Sequence, residues 1–319
     1  MPAPRPDAEP AATAGAGRPI LVTGAPRSGT TWVGRMLALA PGVGYVHEPF
    51  NPDIPAGIAG GVFTRHLQYV CAENEAAFRP ALARALAFRY DLPAALRAVR
   101  GPRDVARIVR DEGRLAGERA RRLRPLVKDP IAVFSAEWLA AAFGMDVVVL
   151  VRHPAAVVAS FKRLGWRHDF RSFLDQPLLM NACLRPYEAE IRAAAAGDLD
   201  AVAEATLLWR LVHQTIMGYR DRHPDWLFRR HEDLSRDPLG EFEQLYARLG
   251  LELTLEARRG IEAHSAASNP AELEQAHSVK LASSESLRNW SRVLSDAEVA
   301  RVREAVADVS PAFYGDDDW

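Results

Sequence analysis

Gly24-Ala25-Pro26-Arg27-Ser28-Gly29-Thr30-Thr31 follows the apolar run Pro19-Ile20-Leu21-Val22-Thr23 and leads into a helical pattern. A short strand, a glycine-bearing turn and a helix start, in that order, form a loop whose backbone amides can cradle phosphate. The form of this loop found in nucleoside triphosphatases, G-x-x-x-x-G-K-[ST], carries a lysine after its second glycine. Here Gly29 is followed by Thr30, so the nearest cation able to reach a phosphate is Arg27. The missing lysine argues against a kinase or ATPase. A tight strand-to-helix connection without any ligand would use the same glycines, and the rest of the chain has to separate the two.

Outward from this loop, short apolar runs alternate with longer helical stretches: Ile20 to Thr23, Gly44 to His47, Leu126 to Lys128, Val147 to Val151 and Trp226 to Arg230. This alternation predicts an α/β fold, a P-loop-type parallel β-sheet flanked by helices on both faces. Helices are expected from Gly29 to Leu39, Phe134 to Phe143 and Pro154 to Leu164, the last two stopped by Gly144 and Gly165. Asp237-Pro238 has the form of an N-cap and first-turn proline for a helix running to Leu249. Further helices are expected over 81–100, 201–222 and 295–308. One domain with helical insertions, residues 19–319, then follows a disordered tail over residues 1–18, which is rich in Ala, Pro and Gly. In such a sheet a ligand binds beyond the carboxyl ends of the strands, so residues following each strand are the candidates for chemistry.

Val147-Val148-Val149-Leu150-Val151 ends in Arg152-His153-Pro154, and Ser160 follows about two helical turns later. A strand that helped to hold a magnesium nucleotide would end in an acid. An arginine there points to an anion without metal.

Two segments carry a family resemblance. Pro26-Arg27-Ser28-Gly29-Thr30-Thr31-Trp32 resembles the 5′-phosphosulfate loop of sulfotransferases, and the stretch from Arg152 to Phe161 resembles their 3′-phosphate motif, some 120 residues later. The resemblance implies 3′-phosphoadenosine 5′-phosphosulfate (PAPS) as sulfuryl donor. Arg27, Ser28, Gly29, Thr30, Thr31 and Trp32 would hold its 5′ end, and Arg152 and Ser160 its 3′-phosphate. No metal is implied. Phe228 to Leu234, with Asp237-Pro238 and Leu249-Gly250-Leu251 behind, resembles the family's YEDL…DP…LGL segment, with His231 in place of tyrosine and an architectural role implied. Ser286-Leu287-Arg288-Asn289-Trp290 resembles the loop that closes over the nucleotide, where Arg288 would reach the 3′-phosphate and Trp290 would pack on the base or in the core. The resemblance spans about Pro19 to Trp290.

The acceptor hydroxyl must lose a proton as it attacks sulfur, and Gly44-Tyr45-Val46-His47-Glu48-Pro49-Phe50 offers His47 and Glu48. Successive strand side chains point to opposite faces, so one of the two faces the cleft. The Glu-Pro-Phe ending is similar to carbohydrate and tyrosylprotein sulfotransferases, whose base is a glutamate at this place, and this favours Glu48, held extended by Pro49. The chain has thirty-seven arginines but only three lysines, Lys128, Lys162 and Lys280. Lys128, closing a strand, is the candidate to stabilise the leaving oxygen.

With 319 residues, 48% hydrophobic and 25% charged, and a formal net charge of -1, the chain is an ordinary globular one with no general field for nucleic acid or an anionic membrane. Ten arginines between residues 97 and 124 read as a solvated helical face, with collection of an anionic acceptor as the functional alternative. Two distant cysteines, Cys71 and Cys183, fit a reducing cytoplasm, and no membrane span is expected. The resemblance implies a carbohydrate or small-molecule hydroxyl as acceptor, with residues 53–80 and 165–185 expected to line its pocket, including Trp166, Arg167, His168, Phe170 and Phe173. A small-molecule kinase and a non-catalytic nucleotide-binding module stand as the alternatives.

Overall fold

The computed structural model describes residues 17–54, 57–59, 61–265 and 288–319. In chain order the elements are β1 (Ile20–Gly24), α1 (Thr30–Leu37), β2 (Val43–His47), α2 (Arg79–Leu86), α3 (Leu92–Arg97), α4 (Pro102–Ala120), β3 (Arg124–Lys128), α5 (Ala136–Phe143), β4 (Asp146–Val151) and α6 (Pro154–Leu164). The short helices α7 (Arg171–Leu174) and α8 (Pro177–Leu179) lead to α9 (Glu188–Ala196) and α10 (Ala201–Arg222). Then come β5 (Leu227–Arg230), α11 (His231–Arg236), α12 (Pro238–Leu249), α13 (Leu255–Ser265) and α14 (Asp296–Ala305).

All five strands pair in parallel, in the order β2-β3-β1-β4-β5. Both faces are covered, and the strands are apolar on both sides as a consequence. Ile20, Val22, Val148 and Leu150 face α1, α12 and α13 through Met36, Phe242 and Ile261; Leu21, Val127, Val147 and Val149 face Phe134, Leu139 and Trp209. Each fully buried Val or Leu in these rows contributes about 1.5–3 kcal/mol. The expected α/β architecture with helices on both faces is therefore the one observed. Because β1 has β3 on one side and β4 on the other, the chain reverses its winding at β1, and the crevice opens beyond Gly24.

Three local expectations change. The helix expected over 81–100 is two, α2 and α3, because Phe88 takes a left-handed φ of 51° and Asp91 caps a new helix by accepting from Ala94 N at 3.0 Å. Arg18, assigned to the tail, is tied down: its Nε donates to Gly144 O at 2.8 Å and it pairs with Asp146 at 3.2 Å. Residues 1–16 lie outside the described residues. Phe170 and Phe173, expected at an acceptor pocket, are 1% and 0% exposed and belong to the core, since the segment folds inward against Phe134. α4 is a surface helix whose Arg107 and Arg114 pair with Asp104 and Glu118 at 2.8 Å each. Among the described residues no helix is long and apolar enough to cross a membrane.

Candidate active site

The loop after β1 takes a path few residues tolerate. Gly24 has φ 149°, and a Cβ there would stand 2.2 Å from Leu150 O. Gly29, at φ 89°, is the N-cap of α1, and a Cβ on it would stand 2.5 Å from Nδ1 of the buried His231. Arg27 between them also has a left-handed φ, 70°, at a cost for a non-glycine residue on the order of 1–2 kcal/mol. No side chain caps α1, and the first-turn amides of a helix have no intrahelical acceptor. Ser28 Oγ lies beneath the same turn, buried and without a hydrogen-bond partner. A polar hydroxyl, uncapped amides and the positive end of a helix dipole therefore point to one place, the arrangement that binds an anion.

β4 lies beside β1, so the two motifs separated by some 120 residues meet here. Arg27 Nε donates to Ser160 Oγ at 3.0 Å, and Arg152 Nη1 donates to Arg27 O at 2.8 Å. Arg152 Nε is buried with no hydrogen-bond partner. Burial, then the neighbouring charges of Arg152 and Arg163, pulls the Arg27 guanidinium down to about 10. Burial lowers Arg152 as well, against the attraction of Glu232. Cations held this close are destabilised until an anion joins them. The Arg27 guanidinium also lies over the ring of Trp166, 5.4 Å from its centroid.

On the other side of β1, Glu48 closes β2. Its amide continues the ladder by donating to Lys128 O at 2.9 Å, but its φ is 45°, so Pro49 does not hold it extended as expected. The chain turns instead, with Asn51 N donating to Glu48 O at 3.0 Å. The carboxylate takes the Lys128 ammonium on Oε1 and Asn51 Nδ2 on Oε2, the latter at 2.7 Å. Burial would raise this carboxyl, but Lys128 and then His47 and Asn51 outweigh it and hold it below the usual range. Burial lowers the Lys128 ammonium, which Glu48 and Asp129 support. Lys128 has no accessible surface, its stem lying against Gly34 of α1. The cation expected at a leaving oxygen is thus engaged by the candidate base, because paired β2 and β3 bring their last residues side by side. Next to it the fully buried Asp129 accepts from Phe50 N at 2.7 Å and Ile131 N at 3.1 Å; burial, then the Glu48 charge, pushes it up to about 7.

The remaining candidates divide. Thr30 is buried at the first position of α1, and Thr31 is half-buried beside it. Trp32 is a core residue, edge-on to His231 at 5.9 Å and Phe242 at 5.5 Å, so it supports the loop from below and offers little surface to a nucleotide. Arg288 is exposed and donates to Asp317 O at 3.2 Å, although its charge reaches His153. Trp290 packs in the core, stacked on His153 at 5.4 Å. Ser286, Leu287 and Lys280 lie outside the described residues. Lys162 pairs with Glu298 at 2.7 Å on the surface.

Four residues of the site escaped the sequence. Asp129 and Trp209 carried no distinguishing motif. His231, beneath Gly29, was marked only by its departure from tyrosine. Glu232 joins three segments: its Oε1 accepts from His153 N at 3.0 Å and its Oε2 from the Tyr314 hydroxyl at 3.0 Å.

A model of the sulfotransferase family matches residues 19–255. Similar solved structures include a sulfotransferase from Mycobacterium tuberculosis (20% identity, 92% of this chain and 77% of that one, TM-score 0.45). Another is a sulfotransferase from Mycobacterium avium (17% identity, 94% and 78%, TM-score 0.47). A third is a mouse sulfotransferase complexed with PAP (12% identity, 94% and 85%, TM-score 0.41). No curated protein matches the chain.

Proposed function

We propose a reaction from one premise, that this chain belongs to the sulfotransferase family: it moves the sulfuryl group of PAPS onto the hydroxyl of a carbohydrate or small-molecule acceptor. The observation that carries the donor is the meeting of Arg27, Arg152 and Ser160 at the uncapped end of α1, with Ser28 Oγ and Arg152 Nε buried and unpaired. These are the groups a nucleotide with phosphates at both 3′ and 5′ would satisfy.

In the proposed step the acceptor oxygen attacks sulfur in line, the bond from sulfur to the bridging phosphate oxygen breaks, and 3′,5′-bisphosphoadenosine (PAP) leaves with that electron pair. The acceptor proton goes to Glu48. Arg27, the amides from Ser28 to Thr31 and the α1 dipole hold the phosphosulfate and the charge that gathers on its bridging oxygen. Thr30 and Thr31 add hydroxyls. Arg152 and Ser160 take the 3′-phosphate, with Arg288 extending the same wall. Lys128 acts through Glu48, keeping it ionised and therefore ready to accept a proton at neutral pH. All the positive charge in this scheme comes from side chains and amides, so turnover should survive EDTA.

Calorimetry with PAP, and with ATP and Mg²⁺, on wild type and Arg152→Ala tests the donor. Metal-independent binding of PAP, weakened in the variant, supports it; preference for Mg-ATP returns the chain to the kinase class.

A further inference from the structure

β4 ends at Val151, so the next peptide unit, between Arg152 and His153, has left the sheet ladder. Two side chains hold it instead. The Trp209 indole Nε1, from α10, donates to Arg152 O at 2.9 Å, and Glu232, from α11, accepts from His153 N at 3.0 Å. One peptide plane is thus gripped at its carbonyl and at its amide, from two different helices. The side chain of Arg152 leaves this plane toward the loop, where it donates to Arg27 O. The other oxygen of Glu232 accepts from the Tyr314 hydroxyl, and Tyr314 is 2% exposed. The ring of His153 is closed in by Trp290, Tyr314 and Trp319, with centroids 5.4, 5.0 and 4.5 Å away, and burial pulls it down to about 4, so it stays neutral.

We infer that Glu232 is a positioning residue for recognition of the donor's 3′-phosphate, setting the direction of Arg152 by fixing the Arg152–His153 peptide against Trp209 on one side and Tyr314 on the other. The inference rests on the reading that Arg152 takes the 3′-phosphate. Its physical basis is orientation. A guanidinium binds phosphate through a planar fork, so a tilt of the peptide that carries it costs hydrogen bonds without removing charge. Replacing the carboxylate by a carboxamide leaves one acceptor for two donors and turns an N–H group toward the second, which frees the peptide to rotate.

The test is binding of two probes, PAP and 5′-AMP, which differ by the 3′-phosphate alone. Wild type should prefer PAP. In Glu232→Gln that preference should fall about tenfold or more, while 5′-AMP affinity stays within about twofold, since the loop after β1 is untouched. Tyr314→Phe, which leaves the bond to His153 N, should lose only part of the preference and covers the case in which Glu232→Gln does not fold. Equal losses of both probes, or an unchanged preference in a folded variant, would overturn the assignment, because a general packing role makes no distinction between them. A wild type that binds both probes alike would overturn the reading of Arg152 itself.

Discussion

The Lys128 ammonium and Glu48 Oε1 form an ion pair across eighty residues of chain, with the lysine side chain wholly buried and the carboxylate about one-tenth exposed. A carboxylate that keeps its charge by such a partner is available as a base, but its basicity is limited by the same contact. Glu48→Gln should therefore lower kcat by about 10²–10⁴-fold and leave PAP binding within a few fold. Near-native transfer in this variant would move the base elsewhere, with His47→Ala as the paired check.

Lys128→Met separates two roles. With the cation gone, burial is opposed on Glu48 only by His47 and Asn51, so its pKa rises and a larger share of the base is protonated at a given pH, recovering as pH increases. The acid limb of the kcat profile should shift to higher pH. A loss of rate that is the same at every pH would instead assign Lys128 to the leaving oxygen. Breaking a buried pair also costs about 3–5 kcal/mol, so Tm should fall.

Asp129 contributes a stability dependence of defined sign. Its folded pKa, about 7, is above the unfolded carboxylate value, so the native state binds the extra proton. This contribution is fully present below about pH 4 and is lost as pH rises through about 7, on the order of 4 kcal/mol in all. In Asp129→Asn the slope of unfolding free energy across that window should flatten, as read by urea titrations at pH 4.5, 6 and 7.5.

Gly29→Ala should be far more damaging than its size suggests. The left-handed backbone costs about 1–2 kcal/mol, and the new methyl meets His231 Nδ1. PAP binding should be lost before the fold is, since the displaced groups are the amides proposed to hold the donor. Full affinity in this variant would remove the loop from the donor site.

Much of this was written in local sequence. Five strands lie where short β-branched runs predict them, and α6 and α10 begin and end at the expected residues, because caps, glycine stops and hydrophobic period are properties of neighbours along the chain. Arg27 and Arg152 could be named because each sits just past a recognisable strand, and Ser160 because it follows Arg152 at the spacing of the motif that the segment resembles. What stayed hidden depends on register across the sheet. That Lys128 meets Glu48 follows from His47 pairing with Lys128, and no local pattern encodes it. The inward turn of Phe170 and Phe173 and the reach of Glu232 to Tyr314 are likewise set by packing between distant segments.

The guanidinium that lies over Trp166 has an optical consequence. Of seven tryptophans, this is the one the fold leaves exposed, at 42%, and the cation over its ring belongs to the loop proposed to grip the donor. If a nucleotide occupied that loop and drew Arg27 toward it, the quenching of this one surface indole should change, while five of the others are buried and Trp319 is half-buried. The chain thus carries an intrinsic fluorophore beside its candidate site, and a titration with PAP should be readable by emission without any added label.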